Sequence, residues 1–373
     1  MSSLTVSPSR IVSTIPAMVP AINPLKGIYS GRLGLPLESA ALLAKWEIPL
    51  DRLLTVDNPK TLKKSDRART AILHHSPSNW LSRAISPTNG ANGVRGYLPE
   101  LAAIIARNGL TDLASRHNGC PWATDSCRDC CLNASGHGGI SQDVANCRGR
   151  RTVAMIDNPP AYAKAVLWAI ARERSRTLST VPLATRLKGT DDSLLWQTRF
   201  SLSATEAKFL ADRFGLTVYC GPSLTLTEAM GPSIGNGRIV PYDYSAAPLH
   251  GANGLLAQRA AGYDITHSVK PDRASAVTRA IAAIRAGFRV AIPVAMSEHD
   301  PIPPFLSFTS DSDSIIIPTV NGDLSDHRFL DPHGCAVILR YKISRGANPI
   351  SVARFAIPNH GAIQLADGIV GWA

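Results

Sequence analysis

The chain has 373 residues, of which 45% are hydrophobic and 18% charged, and its formal net charge is +11. This length allows one large domain or two smaller ones, and the composition excludes an intrinsically disordered chain. The positive charge leaves nucleic acid or another polyanion open as a partner, although an ordinary basic surface explains it equally well. The longest basic clusters, residues 60–69 and 148–151, are too short for a nucleic-acid-binding tail.

The N-terminal residues combine Ser, Pro and Thr with a short apolar patch that Pro16 and Pro20 interrupt. This patch is too short for a membrane span or a secretory signal, and no other apolar run is long enough to cross a bilayer. We therefore expect residues 1–25 to form a disordered tail. We also expect a cytoplasmic protein with no membrane contact, whose cysteines are reduced or bound to metal.

Secondary structure can be predicted from the spacing of apolar residues along the chain. Helical spacing predicts helices over residues 36–46, 97–108, 140–155, 159–174, 204–214, 251–261 and 273–286. Short apolar or alternating runs predict strands over residues 181–187, 216–220, 238–244, 264–269, 288–294, 315–320 and 335–341. The first part of the chain is thus mainly helical, and strands alternate with helices in the rest.

Alternation of strands and helices is typical of a parallel sheet covered by helices, which places the chain in the α/β class. The number of predicted strands favours a partial or complete βα barrel. We assign the cysteine loop and this barrel to residues 111–345, preceded by an N-terminal helical region over residues 26–110. Residues 346–373 are left as a C-terminal segment.

Four of the seven cysteines lie within twelve residues, at Cys120, Cys127, Cys130 and Cys131. The two-residue gap between Cys127 and Cys130 lets both sulfurs face one centre, as in zinc and iron–sulfur loops. Three thiolates would leave a tetrahedral metal, or one iron of a four-iron cluster, with a free position, which is typical of a catalytic site. Adjacent cysteines rarely both face one metal, so Cys131 is an alternative to Cys130. A disulfide knot or inert cysteines also fit this density.

A glycine-rich stretch follows the cysteines directly. Gly136 and Gly138 would let the backbone approach a bound cofactor closely, because glycine carries no Cβ. An ordinary flexible turn explains the same residues equally well.

Polar residues lie at the ends of several predicted strands, where the active sites of βα barrels are found. From them we select Asp192, Asp243 and His267 as candidate catalytic residues, with both aspartates expected to point into the mouth of the barrel. There they could act as a general base or bind a ribose hydroxyl, whereas helix capping or a turn is the alternative role. Thr190 and Tyr242 are candidate cofactor contacts.

These motifs resemble a family of phage- and plasmid-encoded proteins with no established reaction, the gene-product-eighty-eight-like family. The resemblance rests on the cysteine loop and on residues 186–192, 242–245, 265–268 and 321–334. That family looks like a distant relative of radical S-adenosylmethionine barrels. The resemblance implies a cysteine loop over a partial βα barrel, with an iron–sulfur cluster and S-adenosylmethionine as cofactors. Radical enzymes usually have three residues between the first two cysteines, and this chain has six.

Three functions remain open at this stage. The first is a cluster-bearing radical or redox enzyme that uses a nucleotide-like cofactor. The second is a nucleic-acid-binding replication or packaging accessory whose cysteine loop is held by zinc, and the third is a barrel without chemistry. The sequence contains no helix-turn-helix or paired Cys and His finger, which disfavours the second. If the first is right, we expect the cysteine loop to cap the strand ends and form one pocket with them.

Overall fold

The computed structural model describes residues 34–56, 67–87, 96–131, 141–341, 348–359 and 361–372. The tail expected over residues 1–25 lies outside these ranges. So do Gly136 and Gly138, the two candidate cofactor-binding glycines.

Within the described ranges the chain forms 13 α-helices. They are α1 Leu37–Lys45, α2 Trp80–Ala84, α3 Pro99–Arg107, α4 Thr111–Arg116, α5 Asp125–Asp129, α6 Gln142–Asp157, α7 Pro159–Ser175, α8 Ala204–Phe214, α9 Leu226–Ala229, α10 Gly231–Gly235, α11 Leu255–Ala260, α12 Ala276–Arg285 and α13 Pro349–Phe355. Local sequence explains several boundaries: Ser203 and Glu206 form a capping box at the start of α8, and Gly215 ends it in the left-handed conformation. None of the helices in these ranges has the length and apolar character needed to cross a bilayer.

The strands gather into one large sheet and one small two-stranded sheet. They are β1 Thr55–Val56, β2 Arg69–Ile72, β3 Leu183–Arg186, β4 Phe200–Leu202, β5 Gly221–Leu224, β6 Ile239–Ser245, β7 Asp264–Ser268, β8 Arg289–Ala295, β9 Phe305–Thr309, β10 Ser314–Asn321, β11 Ala336–Arg340, β12 Ile357–Pro358, β13 Ala362–Leu365 and β14 Gly368–Trp372. The large sheet has the order β1-β2-β3-β6-β7-β8-β11-β10-β9-β14-β13, with β12 also paired to β8. Strands β4 and β5, which flank α8 in sequence, form the small antiparallel sheet.

The middle of the large sheet is parallel from β2 through β3, β6, β7, β8 and β11 to β10. The prediction of an α/β fold with a parallel sheet is therefore confirmed. Strands β9, β14 and β13 continue the sheet in antiparallel pairs. Among the described strands, β1 and β13 pair at opposite ends of the order and not with each other, so no closed barrel is formed.

Several strands lie where the sequence did not predict them. The strand expected over residues 216–220 is irregular backbone, because Tyr219 donates its amide hydrogen bond to Ala229 at the end of α9, and β5 begins only at Gly221. Strand β2 lies inside the segment expected to be helical, where it pairs with β3. Strands β12, β13 and β14 lie in the C-terminal segment, so both terminal segments contribute to the large sheet.

The largest hydrophobic cluster among the described residues joins these segments, since its buried side chains extend from Leu35 near the start of the described chain to Val370 near its end. Helix α7 lies at its centre and is buried on nearly all sides. Close packing in this core holds the parallel strands rigidly, so the positions of their carboxyl ends are fixed.

Candidate functional site

A cavity of about 400 Å³ opens at the carboxyl ends of the parallel strands. One wall carries four cysteines of the cysteine loop, and Phe355 of α13 adds an aromatic side chain. Trp122 and Ala123 of the same loop also line the cavity, and the rest of the lining comes from residues at or just after the ends of β3, β6, β7, β10 and β11: Arg186, Lys188, Gly189, Thr190, Asp191, Asp192, Tyr244, Ser245, Ala246, Ser268, Lys270, Asp323, Asp326, Leu339 and Arg340. The cysteine loop and the strand-end polar groups therefore line one pocket.

The cysteine loop is fastened to the connection that follows β7. Asp272 accepts hydrogen bonds from the hydroxyl of Thr124 (2.6 Å) and from the amide of Ser126 (3.1 Å). Thr124 caps the short helix α5 and accepts the amide hydrogen of Cys127. Arg273 donates to the carbonyl of Trp122 on the same loop.

Helix α13 holds the loop from the other side. Ser351 donates a 2.6 Å hydrogen bond to Asp129 of α5, and the two helices pack together. Beyond α13, strand β12 pairs with the last residues of β8. The loop is therefore held between the floor of the cavity and the C-terminal segment.

The thiols lie close enough to influence one another. Burial raises the pKa of Cys120 well above its usual range, and Asp191, Cys131 and Cys127 raise it further because negative charges repel. Two of the other thiols in this wall, Cys131 and Cys127, thus lie close enough to Cys120 to affect its ionisation. A bound cation would relieve this repulsion.

Lys270 supplies a positive charge beside these thiols. Burial lowers the pKa of Lys270, but the neighbouring Cys127, which shares a hydrogen bond with it, raises the pKa above the usual value overall. Asp192 and Cys120 act in the same direction. The lysine ammonium also donates a 3.0 Å hydrogen bond to the hydroxyl of Ser268.

The donor chemistry of the cysteine wall fits a soft metal ion or an iron–sulfur cluster, because both prefer thiolate ligands. Nevertheless, no three Cys, His, Asp or Glu side chains within the described ranges are placed so that together they could hold a metal ion. Binding would require the thiols to rotate toward a common centre. The ligand set of Cys120, Cys127 and one of Cys130 or Cys131 stays a prediction.

Asp192 and Thr190, two of the predicted site residues, line the cavity. Asp192 accepts hydrogen bonds from Lys188 (2.9 Å), from the hydroxyl of Ser245 (3.0 Å) and from the amide of Ala246 (3.0 Å). Thr190 donates to the carbonyl oxygen of His75. Asp192 is therefore committed to protein partners, and Lys188 in turn donates to Gln258.

Asp243 lies at the same end of the sheet, but the expectation that it points into the mouth is wrong. Its side chain is fully buried and absent from the cavity lining. It accepts hydrogen bonds from the amides of Leu187 and Lys188, and Arg186 lies 3.6 Å away. Asp243 therefore fixes the chain where it leaves β3, which is a structural role.

His267 and Tyr242 do not line the cavity either. His267 is buried, and burial lowers its pKa to about 3, with the positive charge of Arg279 acting in the same direction. Tyr242 packs edge-on against Phe329 below the cavity. Neither side chain is placed to touch a ligand, because each lies in the packed interior beneath the pocket.

The buried carboxyl group of Asp243 predicts a specific pH dependence of stability. Burial raises its pKa from 3.8 to about 7, although Lys188 and Arg186 oppose the shift. The folded protein therefore keeps a proton that the unfolded chain releases, so this group costs no stability below its unfolded pKa and costs more as the pH rises toward 7. Relative to wild type, Asp243→Asn should gain on the order of 4 kcal/mol between about pH 4 and about pH 7.

Urea unfolding of both proteins across this pH range measures the gain. The measured quantity is how the difference in unfolding free energy between variant and wild type changes with pH. An effect of the amide that does not depend on pH therefore cancels. Asp212→Asn, at an exposed carboxylate on α8, serves as control and should show no comparable change. A difference between Asp243→Asn and wild type that stays constant with pH would contradict the assignment.

Other residues of this site escaped prediction from the sequence. Lys270 follows β7 by two residues, a position that resembles any strand-end loop. Asp191 is buried and accepts a 3.2 Å hydrogen bond from His75, whose other ring nitrogen bonds the hydroxyl of Tyr162 (3.0 Å). His75 follows β2, which was not predicted as a strand. Its position near the site therefore could not be predicted from the sequence.

Comparison with known proteins assigns no family. No family model, no curated protein and no solved structure matches this chain. Function is therefore inferred from the cavity and its side chains.

Proposed function

We propose that this cavity is the active site of a metal- or iron–sulfur-cluster-dependent enzyme that acts with a nucleotide-like cofactor. The observation that carries the proposal is the meeting of four cysteines with strand-end polar side chains in one pocket. A catalytic site needs both kinds of group within reach of one substrate. A structural metal knuckle needs no pocket beside it.

In this proposal Cys120, Cys127 and one of Cys130 or Cys131 hold the metal or cluster. An iron–sulfur cluster would supply one-electron chemistry, whereas zinc would supply a Lewis acid. Lys270 partly balances the thiolate charge through its contact with Cys127. Because burial and nearby negative charges raise the pKa of Cys120, binding of a metal there would be coupled to release of its proton.

The remaining walls suit a small polar molecule with a flat part. The volume of about 400 Å³ is within the usual range for small-molecule sites. Tyr244 and Phe355 offer aromatic surfaces, and the guanidinium of Arg186 lies 4.8 Å from the Tyr244 ring centroid.

We further propose that the parallel strands act as a partial βα barrel with this cavity as its mouth. The order of the motifs along the chain supports this, since the cysteine loop precedes the strands whose ends it covers. S-adenosylmethionine is the nucleotide-like cofactor that the resemblance of these motifs implies.

A zinc-stabilised nucleic-acid-binding accessory is the second candidate, favoured by the net charge of +11. That charge is not concentrated at the cavity. Its described lining carries four cationic side chains (Arg186, Lys188, Lys270 and Arg340) and four carboxylates (Asp191, Asp192, Asp323 and Asp326). The cavity therefore suits a small molecule better than a polyanion.

Anaerobic purification and reconstitution with iron and sulfide tests the proposal. We expect a brown protein with visible charge-transfer absorption and several iron and sulfide ions per chain, because thiolate-bound clusters absorb in this range. A colourless protein that takes up one zinc per chain and shows no affinity for S-adenosylmethionine would support the accessory role. A protein that binds neither metal would leave only the barrel without chemistry.

A further inference from the structure

We propose that Asp272 is the positioning residue that holds the cysteine loop over the strand ends. Its two carboxylate oxygens accept hydrogen bonds from two different groups of the loop, the Thr124 hydroxyl at 2.6 Å and the Ser126 amide at 3.1 Å. The consequence for metal uptake rests on the proposed function, whereas the consequence for loop order does not.

Asp272 acts on Cys127, a candidate metal ligand, through the side chain of Thr124. The Thr124 hydroxyl donates to Asp272 and at the same time accepts the amide hydrogen of Cys127 at 3.3 Å. Because a hydroxyl has one hydrogen to donate, its bond to the carboxylate leaves its lone pairs directed to the amide. Asp272 thus sets the orientation of Thr124, and Thr124 sets the backbone of Cys127.

The position of Asp272 is itself fixed by the sheet. It follows β7 by four residues, and β7 is paired with β6 on one side and β8 on the other. Lys270 and Arg273 on the same connection contact Cys127 and Trp122. Three nearby side chains of one connection therefore hold the loop, which transfers the rigidity of the sheet to the cysteines.

A carboxylate is required at this position because both partners are donors. In Asp272→Asn one oxygen is replaced by an NH₂ group of nearly the same size, which cannot accept a hydrogen bond. The variant therefore loses one of the two loop contacts without leaving a cavity. Truncation to alanine would confuse the lost contact with lost packing.

Asp367→Asn, in the turn between β13 and β14, is a matched control that contacts the start of helix α12. Asp367 accepts hydrogen bonds from the amides of Val277 (3.0 Å) and Thr278 (2.8 Å) at the start of α12, and it does not line the cavity. Both variants replace a two-bond carboxylate by its amide near the same helix. Only Asp272→Asn changes the attachment of the cysteine loop.

Amide hydrogen exchange and metal uptake of the full chain are measured for wild type and both variants. We expect Asp272→Asn to speed exchange of the amides in residues 122–131 about tenfold, because local opening becomes easier when a tether is lost. Its iron content after anaerobic reconstitution should fall by more than half. Asp367→Asn should speed exchange only at the start of α12 and keep the wild-type iron content.

Thr124→Val removes the same tether from the loop side and keeps the side-chain volume. It should reproduce the faster loop exchange, and it decides the matter if Asp272→Asn does not fold. If the amides of residues 122–131 exchange at the wild-type rate in Asp272→Asn and in Thr124→Val, the proposal is overturned. If wild type binds no metal but the exchange results hold, the proposed function fails and the positioning role stands.

Discussion

Cys127→Ser is expected to abolish metal or cluster binding by the anaerobically reconstituted protein. Cys127 is the cavity cysteine that also contacts Lys270, and a serine hydroxyl does not ionise near neutral pH to replace a thiolate ligand. Iron and sulfide content per chain, together with visible absorption, measures the loss. The effect is expected to be complete, since a cluster held by three thiolates does not survive the loss of one.

Cys220→Ser is the control for this prediction. Cys220 is exposed and does not line the cysteine cavity, so its replacement should leave metal content unchanged. Undiminished metal in Cys127→Ser would show that the cavity thiols are not the ligands. Equal losses in both variants would point to oxidation of exposed thiols during preparation instead of a site.

Asp192→Ala is expected to destabilise the fold by about 3 kcal/mol, because it leaves the ammonium of Lys188 buried without its carboxylate partner. The Lys188 side chain is 3% exposed and donates to Asp192 at 2.9 Å and to Gln258 at 2.6 Å. Gln258 alone cannot balance the charge. Denaturant unfolding near neutral pH measures the loss.

The double variant Lys188→Met/Asp192→Ala separates lost charge balance from lost shape. Methionine fills much of the lysine volume without a charge, so the double variant should recover a large part of the stability that Asp192→Ala loses. If instead both losses add, the buried pair is not what makes Asp192 important. A stable Asp192→Ala that lacks only activity would restore Asp192 to the catalytic role predicted from the sequence.

The sequence predicts the parallel sheet because each central strand is a short apolar run that polar residues terminate. Strands β6, β7, β8, β10 and β11 all begin and end within two residues of their predicted bounds. The end of the sheet that carries polar residues also follows from this, since parallel strands share one carboxyl edge. Asp192 and Thr190 reach the cavity for that reason.

Which residue of a strand reaches the cavity did not follow from the sequence. Both faces of β6 are buried, so its pattern carries no sign of which residues are functional. Tyr244 and Ser245, the last two residues of β6, line the cavity from opposite faces of the strand, whereas Asp243 lies earlier on the strand and accepts the amide hydrogen of Leu187. Position along the strand, and not face alone, therefore separates a cavity contact from a structural one.

Contacts between residues far apart in the chain also could not be predicted from the sequence. The bond between His75 and Asp191 joins residues 116 positions apart, and the bond between Thr124 and Asp272 joins residues 148 apart. Neither pair leaves a local pattern, because apolar periodicity reports only which face of one element is buried. Side-chain networks of this kind become visible only when the fold is known.

The placement of α13 has a consequence for the order of events during biosynthesis. Phe355 forms part of the cavity wall, and Ser351 ties α13 to the cysteine loop. A ribosome makes these residues long after the cysteines, and the exit tunnel hides the newest part of the chain. The thiols therefore leave the ribosome before the wall that covers them in the folded chain exists, so the site proposed here is assembled in two stages.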